Sequence, residues 1–224
     1  MNYQIDAPGS AIRTTVKLPA SKSISNRALI LNALSYSAYD VENLSDCDDT
    51  NLMVKALNSN DRDFNVGAAG TTMRFLTAFL SKVVGEWTIT GTERMKNRPI
   101  KVLVDALNAL GARIEYMEKE GYPPLRIFGS ALQGGEILLP GNVSSQYISA
   151  ILMIAPLTEN GVTLHLEGAI ISRPYIHITL QLMEQYGVRA SWTENTIKVL
   201  PQEYKPIRFT VESDWSAASY WYEI

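Results

Sequence analysis

The sequence has few of the residues that build metal sites and disulfides. Its 224 residues include one cysteine, Cys47, and two histidines, His165 and His177. A single cysteine excludes an internal disulfide framework and a clustered-thiolate metal site, and two histidines leave little for a zinc site. The dinucleotide fingerprint GxGxxG and the phosphate loop GxxxxGK[ST] are also missing. The sequence thus shows none of these common metal-binding and nucleotide-binding patterns.

Long apolar runs and an excess of one charge are missing as well. The longest nearly uncharged apolar stretch, Tyr147–Leu157, is well short of the roughly 20 residues that a membrane-spanning helix needs. The N-terminus has neither the basic region nor the apolar region of a secretion signal. A formal net charge of −3 argues against a general nucleic-acid binder. At roughly 150 residues per domain, we expect one large or two small globular domains in the cytoplasm.

The sequence does contain an internal repeat. An Arg-Pro pair at 98–99 begins an apolar helical stretch, and a second pair at 173–174 does the same 75 positions later. Each is preceded by a small-residue loop that leads into another apolar helix. These loops begin at Gly67 and Gly141, which are 74 positions apart. Two features that recur at nearly the same offset indicate a duplicated unit.

Each copy of the unit is predicted to run strand, helix, strand, helix and two further strands. In the second copy the predicted elements are Glu136–Leu139, Ser144–Pro156, Val162–Glu167, Pro174–Tyr186, Val188–Trp192 and Thr196–Leu200. A less regular unit precedes both copies. Its predicted elements are strand Thr15–Leu18, helix Ser23–Leu34, strand Asp40–Leu44 and helix Thr50–Leu57.

The periodicity indicates which elements lie inside. Val162–Glu167 and Ile207–Glu212 alternate apolar and polar residues, as half-exposed strands do. The helices over Ala28–Leu34 and Tyr147–Leu157 are apolar almost all round, as buried helices are. A doubly wound Rossmann domain shows the reverse, with continuously apolar central strands. We therefore predict an α/β (α+β) fold of repeated βαβαββ units, in which outer sheets surround buried helices.

The last residues of the chain predict a further unit. Ile207–Glu212 would be its first strand, and Ser213–Ser219 its small-residue loop, 72 positions after the loop of the preceding unit. The helix Ala217–Ile224 would then stop after about two turns, with its aromatic residues uncovered. We therefore expect the chain to end inside a unit, and Trp215, Tyr220, Trp221 and Tyr222 to be core residues that await a packing partner.

Five loops at predicted helix starts are rich in hydrogen-bond donors. They are Pro19–Arg27, Gly67–Thr72 followed by Arg74, Arg94–Pro99, Ser144–Gln146 and Ser172–Tyr175. Exposed backbone N–H groups and the helix dipole favour an anion at such a position, and parallel strand–helix crossovers place such loops at one end. A Ser-Lys-Ser segment alone is more typical of an ordinary helix cap. The five loops together predict a site for a multiply anionic small molecule.

Six segments, from about Leu18 to the last residue, carry a family resemblance. They are LPASKSISNRALILNAL, GAAGTTMRFL, RMKNRPIKVLVDAL, SSQYISAILMIAPL, SRPYIHITLQLM and VESDWSAASY. In this order they resemble the signature segments of the 5-enolpyruvylshikimate-3-phosphate (EPSP) synthase family. The resemblance implies transfer of the enolpyruvyl group of phosphoenolpyruvate to the 5-hydroxyl of shikimate 3-phosphate, with release of phosphate. This reaction belongs to the shikimate pathway to chorismate and aromatic amino acids, and glyphosate inhibits it.

The resemblance also implies an architecture and a set of partners. The family's fold is two inverted domains, each of three βαβαββ units, and the family's enzymes need no metal or organic cofactor. We expect residues 1–13 to belong with a second domain, 14–211 to form the N-terminal domain, and 212–224 to form the hinge and the start of the second domain. The family's second half supplies the acid and base carboxylates, so we expect this chain to be an inactive substrate-binding half of a monomer.

Individual residues match the family's ligands. Lys22 matches the catalytic lysine that lies between both substrates. Those that match ligands of shikimate 3-phosphate are Lys22, Ser23, Arg27, Ser144, Ser145, Gln146, Ser172 and Tyr175. Those that match ligands of phosphoenolpyruvate are Lys22, Gly70, Arg98 and Gln146. Arg74 and Asp214 match positions near the cleft and are supporting. Ala68 departs from the pattern, since the family commonly has asparagine beside phosphoenolpyruvate.

Two alternatives stay open. The related UDP-N-acetylglucosamine enolpyruvyl transferases share the fold, but they typically carry a loop cysteine and a different N-terminal Lys-Asn motif, and Cys47 lies in another context. The other alternative is an anion-binding module without catalysis.

The acidic run Asp46–Asp49 is interpreted as a cap of the following helix rather than as a metal site.

Overall fold

The computed structural model describes residue 9 and residues 13–223. Its helices are α1 (Lys22–Leu34), α2 (Asp48–Leu57), α3 (Gly70–Lys82), α4 (Glu93–Lys96), α5 (Lys101–Ala109), α6 (Ser145–Ile154), α7 (Arg173–Gln185) and α8 (Trp215–Tyr222). Its strands are β1 (Val41–Glu42), β2 (Asp63–Asn65), β3 (Gly85–Thr90), β4 (Arg113–Tyr116), β5 (Leu125–Gly129), β6 (Gly135–Pro140), β7 (Val162–Glu167), β8 (Ala190–Thr193), β9 (Thr196–Val199) and β10 (Phe209–Thr210). Within the described ranges, no helix combines the length and the apolar character that crossing a membrane requires.

Two four-stranded sheets share one topology. The strand order is β2-β3-β5-β4 in one sheet and β6-β7-β9-β8 in the other. In each, the first two strands are parallel and the remaining pairs are antiparallel. The helices α3 and α6 occupy equivalent positions between the parallel strands, and such a crossover requires a connection that a helix can provide. The predicted duplication of a βαβαββ unit is therefore confirmed for these two copies.

The helices α3 and α6 form the interior of the fold. All residues of α6 except Gln146 are buried, and in α3 only Phe79 and Lys82 are less than fully buried. Helix α6 packs against α3 and α7, and α1 contacts α2, α3, α6 and α7. Buried side chains from the helices and from both four-stranded sheets form one continuous hydrophobic cluster. The predicted burial is confirmed for Tyr147–Pro156, whereas Leu157 and, within Ala28–Leu34, the residues Leu29, Asn32 and Ala33 are half-buried.

The sheets cover this interior with one face and meet solvent with the other. In β6, Ile137 and Leu139 are buried, whereas Leu138 between them is 58% exposed. In β7, every second side chain from Val162 is buried, and those between are half-buried. Such alternation is the pattern of a sheet with one face packed on a core. The prediction of outer sheets around helices is confirmed.

Three predicted elements are wrong in detail. Residues 13–19 form no strand. The alternating pattern over Thr15–Leu18 specifies which side chains would point to each face of a strand, but it does not specify a neighbouring strand for the pairing. Phe209–Thr210 pairs in parallel with Val41–Glu42, so Ile207–Glu212 completes the first unit instead of beginning a further one. Helix α8 begins at Trp215 rather than at Ala217, because the Asp214 carboxylate caps it there.

We predict that two adjacent leucines of β6 contribute very differently to stability. Leu139→Ala should lower the free energy of unfolding by about 2–4 kcal/mol, because it leaves a cavity in the core. Leu138→Ala, its control on the solvent face, should change it by less than about 0.5 kcal/mol. Urea denaturation of both variants measures the difference. Equal losses would contradict the assignment of inner and outer faces.

Candidate functional site

The starts of α3, α6 and α7 lie at one end of the helix cluster. The side-chain Nε2 of Gln146, in the first turn of α6, donates to Oγ1 of Thr71, in the first turn of α3, at 3.0 Å. The backbone N–H of Ile171, just before α7, donates to the carbonyl of Gly141, in the loop before α6, at 3.2 Å. Each helix start carries partial positive charge. Three of them at one place form an anion-binding environment.

Asp49 connects α1 to the same end of the cluster. Its Oδ2 lies 3.9 Å from Nζ of Lys22, the first residue of α1. Its Oδ1 accepts a hydrogen bond from the backbone N–H of Thr71 at 3.1 Å. The side chain of Lys22 remains 47% exposed. The ammonium group is thus held beside the start of α3 while it faces solvent.

This role of Asp49 differs from the one that the sequence predicts. The residue that precedes α2 is Cys47, and its side chain makes no capping hydrogen bond. Asp49 lies in the first turn of α2 and contributes a carboxylate to the start of the neighbouring helix α3. The available signal was an acidic residue next to several cationic loops. Local helix rules assign such a residue to its own helix, and only the packing of α2 on α3 reveals the other partner.

Two guanidinium groups lie against Gly70. A Cβ atom at Gly70 would lie 2.5 Å from Nη1 of Arg98 and 2.6 Å from Nη1 of Arg74, so a larger residue would displace both. Arg74 donates from Nη1 to the Gly70 carbonyl at 2.9 Å. Arg98 reaches the Ala68 carbonyl only at 3.5 Å. The glycine therefore brings backbone and two cations together at the start of α3.

The charge around Gly70 is unbalanced. Within residues 13–223, neither Arg74 nor Arg98 forms an ion pair with a carboxylate. Burial lowers the pKa of Arg98, and the adjacent cations Arg74 and Arg94 lower it further, while Asp49 acts in the opposite direction. A bound anion would offset this repulsion. The fork of an arginine suits carboxylate and phosphate groups in particular.

Hydroxyl groups lie at the starts of α6 and α7. Ser144 precedes α6, and its Oγ accepts from the backbone N–H of Gln146 at 3.3 Å, while Ser145 is buried. Ser172 precedes α7 with a φ of 58°, the left-handed region that a serine seldom occupies. Such strain is found preferentially at functional sites. Tyr175, in the first turn of α7, is 41% exposed.

Arg27 is buried beneath these helix starts. Its Nε donates to Oγ1 of Thr179 at 2.7 Å, and its Nη2 donates to Oγ of Ser149 at 2.9 Å. Nη1 donates to the carbonyl of Ser23 at 2.9 Å, and Nη2 lies 3.4 Å from the carbonyl of Tyr175. Burial lowers the pKa of Arg27 to about 10. The guanidinium therefore connects α1, α6 and α7 through neutral acceptors.

Asp214 lies beside the loop that precedes α1. Its backbone N–H donates to the carbonyl of Pro19 at 2.8 Å, and its carboxylate accepts from the backbone N–H groups of Ser216 and Ala217 at 2.8 and 3.3 Å. The described contacts of Asp214 thus place it beside the loop before α1. They do not join it to the arginines at Gly70.

The histidines lie on other parts of the molecule. His165 is 3.6 Å from Oε2 of Glu136 on the outer sheet, and the ring of His177 stacks on Trp192 at 4.6 Å. In the part of the chain that the structure describes, no group of three or more His, Cys, Asp or Glu side chains is arranged to hold a metal ion. The polar chemistry of the site is that of cations, hydroxyls, amides and one carboxylate.

We predict that the hydroxyl of Thr179 stabilises the buried Arg27. Thr179→Val would leave Nε of Arg27 without its acceptor and should lower the free energy of unfolding by about 1–3 kcal/mol. Thr77 is an equally buried helical threonine whose hydroxyl donates to the Met73 carbonyl, so Thr77→Val strands no cation and should cost less than about 1 kcal/mol. Thermal or urea unfolding compares the two, and equal losses would contradict this role.

Comparison with known families identifies similar sequences. The family model of EPSP synthase (3-phosphoshikimate 1-carboxyvinyltransferase) matches residues 7–61 and 58–223. The 3-phosphoshikimate 1-carboxyvinyltransferase of Bacteroides fragilis (strain YCH46) is 61% identical over 225 residues, which cover 100% of this chain and 55% of that protein. The enzyme of the same name from Vibrio cholerae serotype O1 (strain M66-2) is 43% identical over 242 residues, with 95% and 57% covered.

A solved structure shares the fold. EPSP synthase from Acinetobacter baumannii superposes with a TM-score of 0.81 at 21% identity, over 92% of this chain and 51% of that one. At this identity the likeness supports the fold alone. The chain spans about half the length of the curated relatives and of the solved structure that it matches.

Proposed function

The chain belongs to the EPSP synthase family, and from that premise we propose that it binds shikimate 3-phosphate and phosphoenolpyruvate for enolpyruvyl transfer. The observation that carries this proposal is the cluster of helix starts, with Arg74 and Arg98 against Gly70 and Lys22 beside Asp49. On a chain with a formal net charge of −3, this cluster provides the local positive charge that two phosphorylated substrates require.

The proposed substrates divide the cluster between them. Phosphoenolpyruvate lies at the start of α3, where Gly70 allows close approach and Arg98 provides a bidentate fork. Shikimate 3-phosphate lies at the starts of α1, α6 and α7, with its ligands Lys22, Ser23, Arg27, Ser144, Ser145, Gln146, Ser172 and Tyr175. The Gln146–Thr71 hydrogen bond supports an arrangement in which Gln146 contacts both substrates, because it lies at the boundary of the two regions. Arg74 and Asp214 support the site.

The proposed role of Lys22 is electrostatic. In the reaction, the 5-hydroxyl gives up its proton and its oxygen bonds to C2 of phosphoenolpyruvate, while C3 takes up a proton and the C2–C3 double bond becomes single. The C2–O bond to phosphate then breaks as C3 releases a proton and the C2–C3 double bond re-forms. Negative charge develops on the attacking oxygen in the first step and on the leaving phosphate in the second. An ammonium group that is already held beside α3 by Asp49 stabilises this charge without first having to be positioned. Arg98 and Gln146 orient the donor.

The buried Arg27 acts in this proposal through its charge and through the helix starts that it connects. Its four described contacts use four of its five N–H groups. One N–H of Nη1 is left for shikimate 3-phosphate, and the rest of the contribution of Arg27 is its positive charge. Because Nη1 holds the Ser23 carbonyl and Nη2 lies near that of Tyr175, it also fixes the spacing of two proposed ligands.

The relatives' greater length supports a division of labour along the chain. We propose that residues 14–211 form the substrate-binding domain of three units, two of which are complete βαβαββ units, that 212–224 lead into a second domain, and that residues 1–13 belong with that domain. Apart from residues 9 and 13, the segment 1–13 lies outside the described residues, as does residue 224. The second domain supplies the acid and base carboxylates, and the protein acts as a cytoplasmic monomer without metal or organic cofactor.

We predict that binding of shikimate 3-phosphate depends on Lys22 and Ser145. Lys22→Ala and Ser145→Ala should each weaken its affinity at least about tenfold, because each removes a hydrogen bond to a charged group. Lys198→Ala, which removes a cation from the exposed face of β9, should change the affinity less than about twofold. Isothermal titration calorimetry measures the three. Unchanged affinity in both site variants would refute the assignment.

We predict that the 224-residue chain alone does not catalyse enolpyruvyl transfer. With both substrates present, phosphate release should stay at the background rate, because the proposed acid and base groups are not among its residues. Addition of the second half of a family member as a separate chain should restore release. A continuous phosphate assay tests this, and turnover by the chain alone would contradict the proposed split of the active site.

A further inference from the structure

Tyr147 joins the two halves of the proposed site. It follows Gln146 in α6, its side chain is buried, and its hydroxyl donates to the carbonyl of Pro99 at 2.6 Å. Pro99 directly follows Arg98. A residue of the second repeat unit therefore holds the loop of the first repeat unit that carries Arg98.

The Arg98 side chain has little else to fix its position. Its described hydrogen bond to the Ala68 carbonyl is long, at 3.5 Å, and the cations Arg74 and Arg94 repel it. Its direction is therefore set by the backbone that carries it. Beside the bond from Tyr147, that backbone is held by Arg98 N–H to Met95 and by Ile100 N–H to Gly121. Both of these bonds remain within the same unit.

The ring of Tyr147 also lies under the second arginine. The Arg74 guanidinium is 5.7 Å from the ring centroid, within the range of a cation–π contact. One side chain thus holds the loop of Arg98 by its hydroxyl and faces Arg74 with its ring. These are the two cations that meet at Gly70.

We propose that Tyr147 is a positioning residue for phosphoenolpyruvate, whose hydroxyl holds Arg98 against Gly70. The inference rests on the proposed function. It predicts an effect on one substrate only, because the serines that are proposed to bind shikimate 3-phosphate do not depend on the Pro99 carbonyl. Tyr147→Phe removes the hydroxyl and keeps the ring beneath Arg74.

Tyr204 provides a matched control. Its hydroxyl is buried and donates to the carbonyl of Met153, also in α6, at 2.7 Å. Tyr204→Phe therefore removes the same kind of hydrogen bond of nearly the same length, but one that is not attached to an arginine loop. A purely structural role of tyrosine hydroxyls would affect both variants alike.

The main experiment titrates phosphoenolpyruvate into the 224-residue chain saturated with shikimate 3-phosphate. Tyr147→Phe should weaken phosphoenolpyruvate about five- to tenfold, the range of one lost hydrogen bond, and Tyr204→Phe less than twofold. The affinity for shikimate 3-phosphate should change less than twofold in both. Equal weakening of phosphoenolpyruvate by both variants, or equal weakening of both substrates by Tyr147→Phe, would overturn the inference.

A double-mutant cycle tests whether Tyr147 acts through Arg98. Arg98→Ala should weaken phosphoenolpyruvate at least tenfold, and Tyr147→Phe should then add less than a twofold effect. A full additional loss in the Arg98→Ala background would overturn the inference. If Arg98→Ala itself leaves the affinity unchanged, or if the unaltered chain does not bind phosphoenolpyruvate, the proposed function fails and the inference fails with it. If only Tyr147→Phe is silent, the inference alone fails.

Hydrogen exchange provides a readout that needs no substrate. The Arg98 amide, which bonds to the Met95 carbonyl, should exchange at least about fivefold faster in Tyr147→Phe than in the unaltered chain, because its loop has lost an anchor. Tyr204→Phe should leave that amide unchanged. An unchanged rate in Tyr147→Phe would show that the hydroxyl does not hold the loop and would overturn the inference.

Discussion

The hydrogen bonds of the buried Arg27 are the constraint on which the site depends. A guanidinium in an apolar interior is costly unless its donors are satisfied. Here the acceptors are hydroxyls and carbonyls of α1, α6 and α7. To satisfy the donors of Arg27, these three helices must keep fixed positions relative to one another. These positions place the first turns of α1 and α7 next to each other, with Ser23 and Tyr175 at the surface above.

A second constraint is the concentration of like charge. Lys22, Arg74 and Arg98 lie near helix starts that are themselves electropositive, and Asp49 is the carboxylate that the structure places among them. Repulsion within the cluster costs stability in the absence of an anion and is relieved by one. Side chains such as Asp49 and Tyr147 hold the cations in place while no anion is bound. The cations of the candidate site are therefore positioned without a bound anion, which is what the proposed electrostatic catalysis requires.

Much of the fold follows from the sequence, because repetition and periodicity are local signals. The recurrence of small-residue loops and Arg-Pro pairs predicts two copies of one unit, and the apolar residues over Ala28–Leu34 and Tyr147–Leu157 predict the burial of α1 and α6. The strand expected over Thr15–Leu18 is absent, because a strand needs a neighbour that its own pattern does not specify. The pairing of Phe209–Thr210 with Val41–Glu42 joins segments far apart in the chain, so no local pattern indicates it.

The candidate site divides in the same way. Sequence motifs select the residues at helix starts, including Lys22, Gly70 and Arg98. They do not select the residues that hold these groups and Arg27. Thr179 and Tyr147 lie within the quoted segments but match no ligand position, and Asp49 is interpreted as a cap of its own helix. Their roles arise from contacts between helices, such as Asp49 with Thr71 and Tyr147 with Pro99. The roles of the site residues and the domain boundaries stay predictions.

The most direct test of the account is the location of shikimate 3-phosphate on the chain. Two-dimensional ¹H–¹⁵N NMR during titration reports every backbone amide. The largest shifts should fall at the starts of α1, α6 and α7, at residues 22–24 and 144–147 and at Arg173 and Tyr175, and the outer strands β4 and β8 should not respond. Shifts that are confined to the outer sheets, or spread evenly over the chain, would contradict the claim that converging helix starts form the substrate site.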